Sequence, residues 1–324
     1  MIALLLRRLA QGVVIVWLVA TLTFLLLHAA PGDPVSATLT DPLTPPAVRE
    51  YWVHRLGLDL PLHQQYWHYL TSVASGGFGF SFPHHRPVSA VLAEALPNTL
   101  LLMGVAIVIA FAAGILIGVV QARRKGKPVD WGLGIGSLFF YSMPDFWLAL
   151  MMLLVFAYWL RLFPASGMFD PVMYGFMGPW ARAADRLWHL VLPAGTLALL
   201  VTAAVARFQR SALLEVAQQD FARTARAKGL GERAVIWRHS LRNALLPVIT
   251  LFGLALPALL GGSVFVESVF SWPGMGTLTV NAIATRDYQL LTAVVIVTSA
   301  LVVTGNLVAD LLYAWADPRV RLGE

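Results

Sequence analysis

Long runs of apolar residues alternate with shorter polar and basic segments along this chain of 324 residues. A helix needs about 20 mostly apolar residues to cross a hydrocarbon layer about 30 Å thick. Six stretches of the chain meet this requirement: Leu9–Ala29, Asn98–Gln121, Phe140–Leu160, Leu187–Ala206, Leu245–Val266 and Leu290–Ala309. The pattern therefore predicts an all-α polytopic membrane protein with six transmembrane helices.

The third stretch is part of a longer apolar segment. From Trp131 to Leu162 a continuous helix would measure about 48 Å, which exceeds one perpendicular crossing. Pro144 marks the expected bend, because proline lacks a backbone donor and clashes with the preceding turn. Counting back from Leu162 places Asp145 at the cytoplasmic interface, whereas counting forward from Trp131 buries it in the membrane. Both placements stay open.

The polar segments divide the chain further. Residues 1–30 are predicted to form the first spanning helix, retained because its apolar run exceeds the 7 to 15 residues typical of a signal peptide. Residues 31–96 are expected to form an extracytoplasmic cap with two short helices, Val48–Leu56 and His63–Ser72. Residues 97–324 would be the core, with five spans and an inner loop over 207–243.

The inner loop has a helical pattern of its own. Leu213, Val216, Ala217, Phe221 and Ala225 fall near helical spacing. Gly229 and Gly231 interrupt the pattern, and a second short helix is predicted from Glu232 to Asn243. The expected arrangement is helix, turn, helix. Phe221 and Ala225 on one side, with Val235 and Ile236 on the other, are expected to present apolar faces to a partner.

Composition and charge agree with a membrane location. Hydrophobic residues make up 58% of the chain and charged residues only 12%. With the N-terminus inside, 16 of the 23 basic residues fall on the cytoplasmic side, which predicts that both termini are cytoplasmic. The formal charge of +6 is explained by this bias, so nucleic acid is not an expected partner. The chain has no cysteine and therefore no disulfide.

Several kinds of chemistry lack their motifs. Gly126-Lys127 is followed by Pro128 rather than Ser or Thr, and no P-loop occurs, so the chain is not expected to bind ATP itself. No hydrolase-like Ser/His/Asp set occurs at a recognisable spacing. The predicted spans carry few ionisable groups, and Glu267 and Asp310 lie at span ends. The histidines His63, His68, His84 and His85 are interpreted as ordinary surface residues, with no metal site.

The inner loop contains two distinctive runs, one from Asp220 to Leu230 and one from Arg238 to Pro247. Together they closely resemble the cytoplasmic loop of peptide-type ABC importer permeases. Other segments follow that family's order: Pro31-Gly32-Asp33-Pro34, Leu56-Gly57-Leu58-Asp59, Arg86-Pro87-Val88, Leu96-Pro97-Asn98-Thr99-Leu100, Ser271-Trp272-Pro273-Gly274-Met275-Gly276, Arg286-Asp287-Tyr288 and Asp317-Pro318-Arg319. Arg223-Thr224-Ala225 replaces the Glu-Ala-Ala of the broader permease pattern, as is common in the peptide-type subgroup.

The resemblance implies a type I ABC importer permease fold and a function in ATP-driven import of di- or oligopeptides across the bacterial inner membrane. It also implies partners: a second homologous permease, two ATP-binding subunits that carry ATP and Mg²⁺, and an extracytoplasmic solute-binding protein, within membrane lipid. The loop would be the site where the ATP-binding subunits dock. Its expected contact residues are Asp220, Phe221, Arg223, Thr224, Ala225, Arg226, Lys228, Gly229 and Leu230.

Three alternatives stay open from the sequence. Nickel importer permeases have similar segments, including one like Met143-Pro144-Asp145-Phe146-Trp147, so the solute could be nickel or another small solute. An ion-coupled secondary transporter is disfavoured, because neither inverted repeats nor midplane carboxylates are apparent. A membrane scaffold without transport would be distinguished by an assay of ATP-dependent uptake.

Overall fold

The computed structural model describes residues 2–29, 45–55, 57, 59–231 and 234–316. Most of these residues are helical. In chain order the α-helices are α1 Ile2–Ala29, α2 Pro46–Arg55, α3 Leu62–Ala74, α4 Val88–Arg123, α5 Pro128–Tyr141, α6 Asp145–Met152, α7 Pro179–Val216, α8 Asp220–Ala227, α9 Leu241–Ala244, α10 Leu246–Val269, α11 Met275–Ala284 and α12 Tyr288–Ala316. The strands β1 Phe80–Ser81 and β2 Arg86–Pro87 pair antiparallel, with Phe80 opposite Pro87.

Three short helical segments complete the description. A π-helical segment, Leu153–Trp159, continues α6, and another, Val235–Ser240, leads into α9. A 3₁₀ turn covers Tyr174–Phe176. The chain divides into two compact units, one of residues 2–99 with 273–303 and one of 100–272 with 304 onward.

The first unit contains the two short helices that the sequence predicted for the cap. Helices α2 and α3 begin and end within two residues of the predicted bounds, with Leu56 outside the described residues. The Tyr66 hydroxyl lies 2.7 Å from Thr21 Oγ1, and the Tyr69 hydroxyl donates to the Ala20 carbonyl at 3.2 Å. These bonds fix α3 to α1. The start of the predicted cap, residues 31–44, lies outside the described part of the chain.

The β-hairpin is attached to the beginning of α12. The Phe80 N–H donates to Gln289 Oε1 at 2.6 Å, and the Ser81 hydroxyl donates to the Asp287 carboxylate. An apolar core beneath the hairpin joins α4, α11 and α12; its buried members are Val88, Val91, Leu92, Ala95, Met275, Ala282, Leu290, Ala293 and Val294. This core explains why α4 begins at Val88 rather than at the predicted Asn98: the earlier residues bury an apolar helical face.

Four helices of the described chain are long and apolar enough to cross a membrane: α1 from Leu6 onward, α4, α7, and α12 as far as Leu312. Helices α5 and α6, with the π-helical continuation of α6, pass the same test as a pair that is bent by 108°. Helix α10, at 24 residues, coincides with the predicted span Leu245–Val266. The helices are consistent with six spans, and that number stays a prediction.

The third predicted span, Phe140–Leu160, is wrong as a single helix. Phe140 belongs to α5, which ends at Tyr141, and α6 begins at Asp145. The predicted bend at Pro144 is confirmed, since this proline immediately precedes α6 with extended backbone angles. Proline cannot donate the hydrogen bond that would continue α5, so the chain starts a new helix in another direction. Asp145 lies in the first turn of that helix and is half-buried.

Candidate partner-docking loop

The inner loop rests on a close crossing of α4 and α7. A Cβ placed on Gly118 would lie 2.6 Å from the Ala206 carbonyl oxygen and 2.7 Å from Gln209 Cβ. One turn earlier, a Cβ on Gly114 would lie 2.6 Å from Val205 Cβ. Any larger residue at these two positions would clash with α7. Glycine, which has no Cβ, therefore lets the two helix backbones pack closely against each other. Helix α7 is therefore held firmly just before it enters the loop.

An ion pair joins α5 to α7 at the same level. Arg210 donates from Nε to Asp130 Oδ1 and from Nη2 to Asp130 Oδ2, both at 2.8 Å. Asp130 Oδ2 also accepts the Gly126 N–H at 3.0 Å. The Asp130 side chain is only 8% exposed, so this two-point pairing is shielded from solvent. The turn between α4 and α5 is thereby tied to the end of α7.

The distal end of α7 anchors the second half of the loop. An apolar cluster joins α4, α7, the second π-helical segment and α9; its buried members are Val119, Ala212, Leu213, Val216, Ile236 and Ala244. Helix α7 has 38 residues, or about 57 Å, and continues beyond both ends of the predicted span Leu187–Ala206. The loop is therefore continuous with one long helix.

A tight corner separates α7 from α8. The Gln219 N–H donates to the Val216 carbonyl at 3.1 Å, which closes a short turn, and Arg226 Nη1 donates to the Ala217 carbonyl at 3.0 Å. The single helix predicted from Leu213 to Ala225 is wrong, because the helix ends at Val216 and a new one begins at Asp220. Apolar spacing continued through the corner, so periodicity could not reveal it.

Helix α8 has a buried face and an exposed face. Ala222 and Ala225 are buried against Val235, at 0%, 5% and 0% exposure. Asp220, Phe221, Arg223, Thr224, Lys228, Gly229 and Leu230 are exposed, and Arg226 is half-buried. On the exposed face, Arg223 Nη1 lies 3.7 Å from Asp220 Oδ1. The exposed face carries an apolar centre at Phe221 between charged residues, which suits contact with another protein.

The turn after α8 depends on Gly229. This residue has φ of +82°, its N–H donates to the Arg226 carbonyl at 2.9 Å, and the Leu230 N–H donates to the Ala225 carbonyl at 3.3 Å. The two bonds close the helix in the pattern known as a Schellman motif, which requires a left-handed residue after the helix end. Gly229 therefore reverses the chain so that it returns toward Val235.

The expected apolar faces of the loop are only partly exposed. Ala225 and Val235 pack on each other, and Ile236 lies in the cluster with α7, so these side chains stabilise the loop from inside. Four large apolar side chains of the described part of the loop remain exposed: Phe208, Phe221, Leu230 and Trp237, at 46%, 37%, 41% and 44%. The second predicted helix, Glu232–Asn243, is described from Ala234 onward; Glu232 and Arg233 lie outside the described residues.

The sequence interpretation missed the residues that support the loop. Asp130, Arg210 and Gly118 were not singled out, although a signal existed for two of them. Gly114 and Gly118 are four residues apart in an apolar helix, a spacing typical of close helix packing. Asp130 is an acid in the first turn of an otherwise apolar helix, which indicates a paired group. Nothing in the sequence indicates that its partner lies 80 residues away.

Comparison with known families covers almost the whole chain. Residues 114–322 match the family described as the inner membrane component of binding-protein-dependent transport systems. Residues 1–103 match the N-terminal region of a membrane component of the same kind of system. The two matches leave out only residues 104–113 in the middle of α4 and the last two residues of the chain, and the docking loop lies within the longer match.

Curated relatives match over the same length. The oligopeptide transport system permease protein AppB of Bacillus subtilis is 40% identical over 99% of each chain. The di/tripeptide transport system permease protein DppB of Pseudomonas aeruginosa is 39% identical, also over 99% of each chain. Among solved structures, a chain of the inward-facing MetNI methionine ABC transporter superposes with a TM-score of 0.57 at 18% identity, covering 70% of this chain and 96% of that one. This last likeness shows the type I importer permease fold.

Proposed function

Because the chain belongs to the family of inner membrane components of binding-protein-dependent transport systems, we propose that it translocates di- or oligopeptides as the permease subunit of an ATP-driven importer. Full-length relatives with peptide permease names support this substrate class. The family and the membrane-spanning helices make the chain an integral inner membrane protein. The permease is a transport subunit, and ATP hydrolysis with Mg²⁺ would take place on partner subunits.

The single observation that carries the coupling role is the exposed face of α8. Ala222 and Ala225 seat the helix on the chain itself, while Phe221, Thr224 and Lys228 face outward. A groove of an ATP-binding subunit would take this face, with Phe221 as the apolar anchor at its centre. The charged residues Asp220 and Arg223 would lie at the rim.

Motion of α8 would reach the spans through the contacts already described. The Arg226 side chain holds the corner to α7, and the glycine crossing holds α7 to α4. Packed helices transmit displacement because their cores are dense and resist gradual deformation. ATP-driven closure of the partners would therefore move α7 and α4 together and alternate the access of the pathway between the two sides.

A second homologous permease and a solute-binding protein complete the proposed assembly. If both termini of the chain are cytoplasmic, the cap helices α2 and α3 would lie on the extracytoplasmic side of the membrane. A loaded binding protein would approach from that side. Peptide selection would then depend on that binding protein as well as on the pathway.

Reconstitution tests this function. The complete transporter in proteoliposomes, with its binding protein outside and ATP inside, should accumulate a labelled dipeptide or oligopeptide. Uptake of nickel but no peptide under the same conditions would favour the metal alternative. Peptide uptake that follows an imposed ion gradient without ATP would contradict the proposal, and binding without any uptake would favour a scaffold.

A further inference from the structure

A cavity of about 530 Å³ opens beside the turn between α4 and α5, in the same unit as the docking loop. Its walls come from the end of α4, from α5 between Asp130 and Tyr141, and from the adjacent part of α7. No residue of α8 lines it, so the docking proposed for α8 does not use it. The cavity adjoins the Asp130–Arg210 ion pair and is separate from the exposed face of α8.

The charge of the cavity is positive. Lys125, Arg207 and Arg210 line it, and Asp130 is the one acidic residue among its described lining residues. Arg210 already neutralises Asp130 through two hydrogen bonds. The positive charges of Lys125 and Arg207 therefore have no acidic counterpart among the described lining residues, and both side chains are exposed. Arg207 lies with its guanidinium carbon 5.3 Å from the centre of the Tyr141 ring, which orients it at the cavity.

A buried polar atom also points to a ligand. Gln121 lines the cavity and is 3% exposed, and among the described residues its Oε1 has no hydrogen-bond partner. Its Nε2 has a long contact of 3.5 Å with the Asp130 carbonyl. A buried amide with an unused atom is uncommon in folded proteins. A ligand carrying hydroxyl groups next to its anionic group would satisfy it.

The remaining wall is apolar and continues along α5. Trp131, Ile135 and Leu138 line the cavity at 65%, 65% and 58% exposure. Helix α5 is half of a bent pair that is apolar enough for the membrane, so these side chains would meet acyl chains. The cavity thus combines a basic mouth with an apolar wall. This combination fits an amphiphile with an anionic head and hydrocarbon tails.

We infer that this cavity is a binding site for an anionic phospholipid of the inner leaflet, with the phosphate between Lys125 and Arg207 and an acyl chain along Trp131, Ile135 and Leu138. The inner leaflet follows from the proposed cytoplasmic location of the α4–α5 turn, which carries Arg123, Arg124, Lys125 and Lys127. Basic pockets between helices on this side of a membrane favour anionic headgroups. Occupied, the site would brace the turn that Asp130 ties to α7.

The test measures lipid association directly. The complete transporter is placed in phosphatidylcholine nanodiscs with spin-labelled phosphatidylglycerol or spin-labelled phosphatidylcholine as the probe. The wild-type transporter should bind spin-labelled phosphatidylglycerol more tightly than spin-labelled phosphatidylcholine. Each charge near the surface contributes roughly a fivefold preference, so Lys125→Gln with Arg207→Gln should lower the association constant of phosphatidylglycerol about 25-fold. Arg124→Gln is the matched control, since Arg124 is an exposed cation of the same turn outside the cavity lining.

Four results would overturn the inference. Equal loss in the Arg124→Gln control would mean a general surface potential, and equal association of both lipids would mean no headgroup site. Displacement of the labelled lipid by millimolar inorganic phosphate would indicate a free phosphate site. A variant that retains lipid but loses the second permease would show that a subunit covers the cavity. None of these readings requires peptide uptake, so failure of the lipid site is distinguishable from failure of the proposed function.

Discussion

Asp130 and Arg210 lie 80 positions apart and form a two-point ion pair, with both nitrogen to oxygen distances at 2.8 Å. The pair joins the first turn of α5 to the part of α7 that enters the docking loop. Because the carboxylate is almost enclosed, its removal leaves a guanidinium without a counter-charge rather than returning both groups to water.

We expect Asp130→Asn to destabilise the purified permease complex by about 1.5–3 kcal/mol, the usual range for hydrogen bonds to charged groups. Chemical denaturation monitored by tryptophan fluorescence would measure this. A double-mutant cycle with Arg210→Gln isolates the pair: the two single losses should together exceed the double loss. Fully additive losses would show that the two side chains stabilise the protein independently.

The glycine crossing predicts a contrast within one helix. Gly118→Ala should destabilise the complex by about 1–3 kcal/mol, because the new methyl group would collide with the backbone of α7 at Ala206. A methyl group placed on Gly104, also in α4, would meet no atom of the described chain within 4 Å, so Gly104→Ala is the control. It should be neutral or stabilising by up to about 1 kcal/mol, since alanine favours helix. Equal thermal stability of the two variants would contradict the close crossing.

How far the sequence specified this fold depends on the range of the interactions. Local chemistry predicted α2, α3, the bend at Pro144 and the turn at Gly229, because each follows from nearby apolar spacing, proline or glycine. The beginning of α4 could not be predicted, since Val88 and Leu92 are held by residues of α11 and α12 nearly 200 positions away in the chain.

The docking loop shows the same division. Apolar periodicity located a helical loop, but it did not separate Ala225, which faces Val235, from Phe221, which faces outward. Both are apolar positions on one short helix, and only the placement of the returning segment decides which one is covered. The corner at 217–219 likewise depends on the Arg226 side chain reaching the Ala217 carbonyl.

The segment between α6 and α7 carries a pH-dependent turn. The backbone N–H groups of Met173 and Val172 donate to Asp170 Oδ1 at 2.9 and 2.8 Å, and these bonds hold the pKa of Asp170 below its ordinary value near 3.8. A lowered pKa means that the carboxylate stabilises the turn above about pH 4. This stabilisation is lost as the pH falls through the lowered pKa of the folded state.

Hydrogen exchange would detect this loss. The amides of Val172 and Met173, corrected for intrinsic exchange rates, should be protected at pH 5 and lose protection toward pH 3. Asp170→Asn should remove the pH dependence of these two amides. Asp185 Oδ2 accepts the Asp170 N–H at 2.9 Å and lies near His189. A pH step of the same size in Asp170→Asn would contradict the role assigned to the Asp170 carboxylate.

The orientation of the chain is testable with reporter fusions. A reporter after Gly79 should be extracytoplasmic, and reporters after Gly126 or Gly229 should be cytoplasmic, because basic residues concentrate in the inner segments. Gly126 and Gly229 lie in exposed turns with positive φ, so fusion there interrupts no helix. An alkaline phosphatase fusion is active on the extracytoplasmic side, and a fluorescent-protein fusion is fluorescent on the cytoplasmic side. Cytoplasmic activity of the Gly79 fusion would reject the orientation and, with it, the inner-leaflet location of the lipid site.

The turn at Gly229 gives the most selective test of the docking role. A β-branched residue in its left-handed conformation costs about 1–3 kcal/mol, and a Cβ placed there would meet no atom of the described chain within 4 Å, so the cost of Gly229→Val is conformational rather than steric. We expect this variant to insert normally but to bind the ATP-binding subunits more weakly. Stimulation of ATP hydrolysis by loaded binding protein should fall with it. Pull-down and hydrolysis are measured on the same preparation.

Two control variants separate backbone strain from side-chain size. Gly231→Val introduces the same side chain two residues later, where a Cβ would meet no atom of the described chain within 4 Å and the left-handed conformation is not required, so docking should be retained. Gly229→Asn should dock better than Gly229→Val, because asparagine tolerates positive φ. If Gly229→Val docks and stimulates hydrolysis like the wild type, the helix-closing turn is not needed to present α8. If Gly229→Asn and Gly229→Val fail equally, a side chain at this position blocks the partner directly and the conformational explanation is wrong.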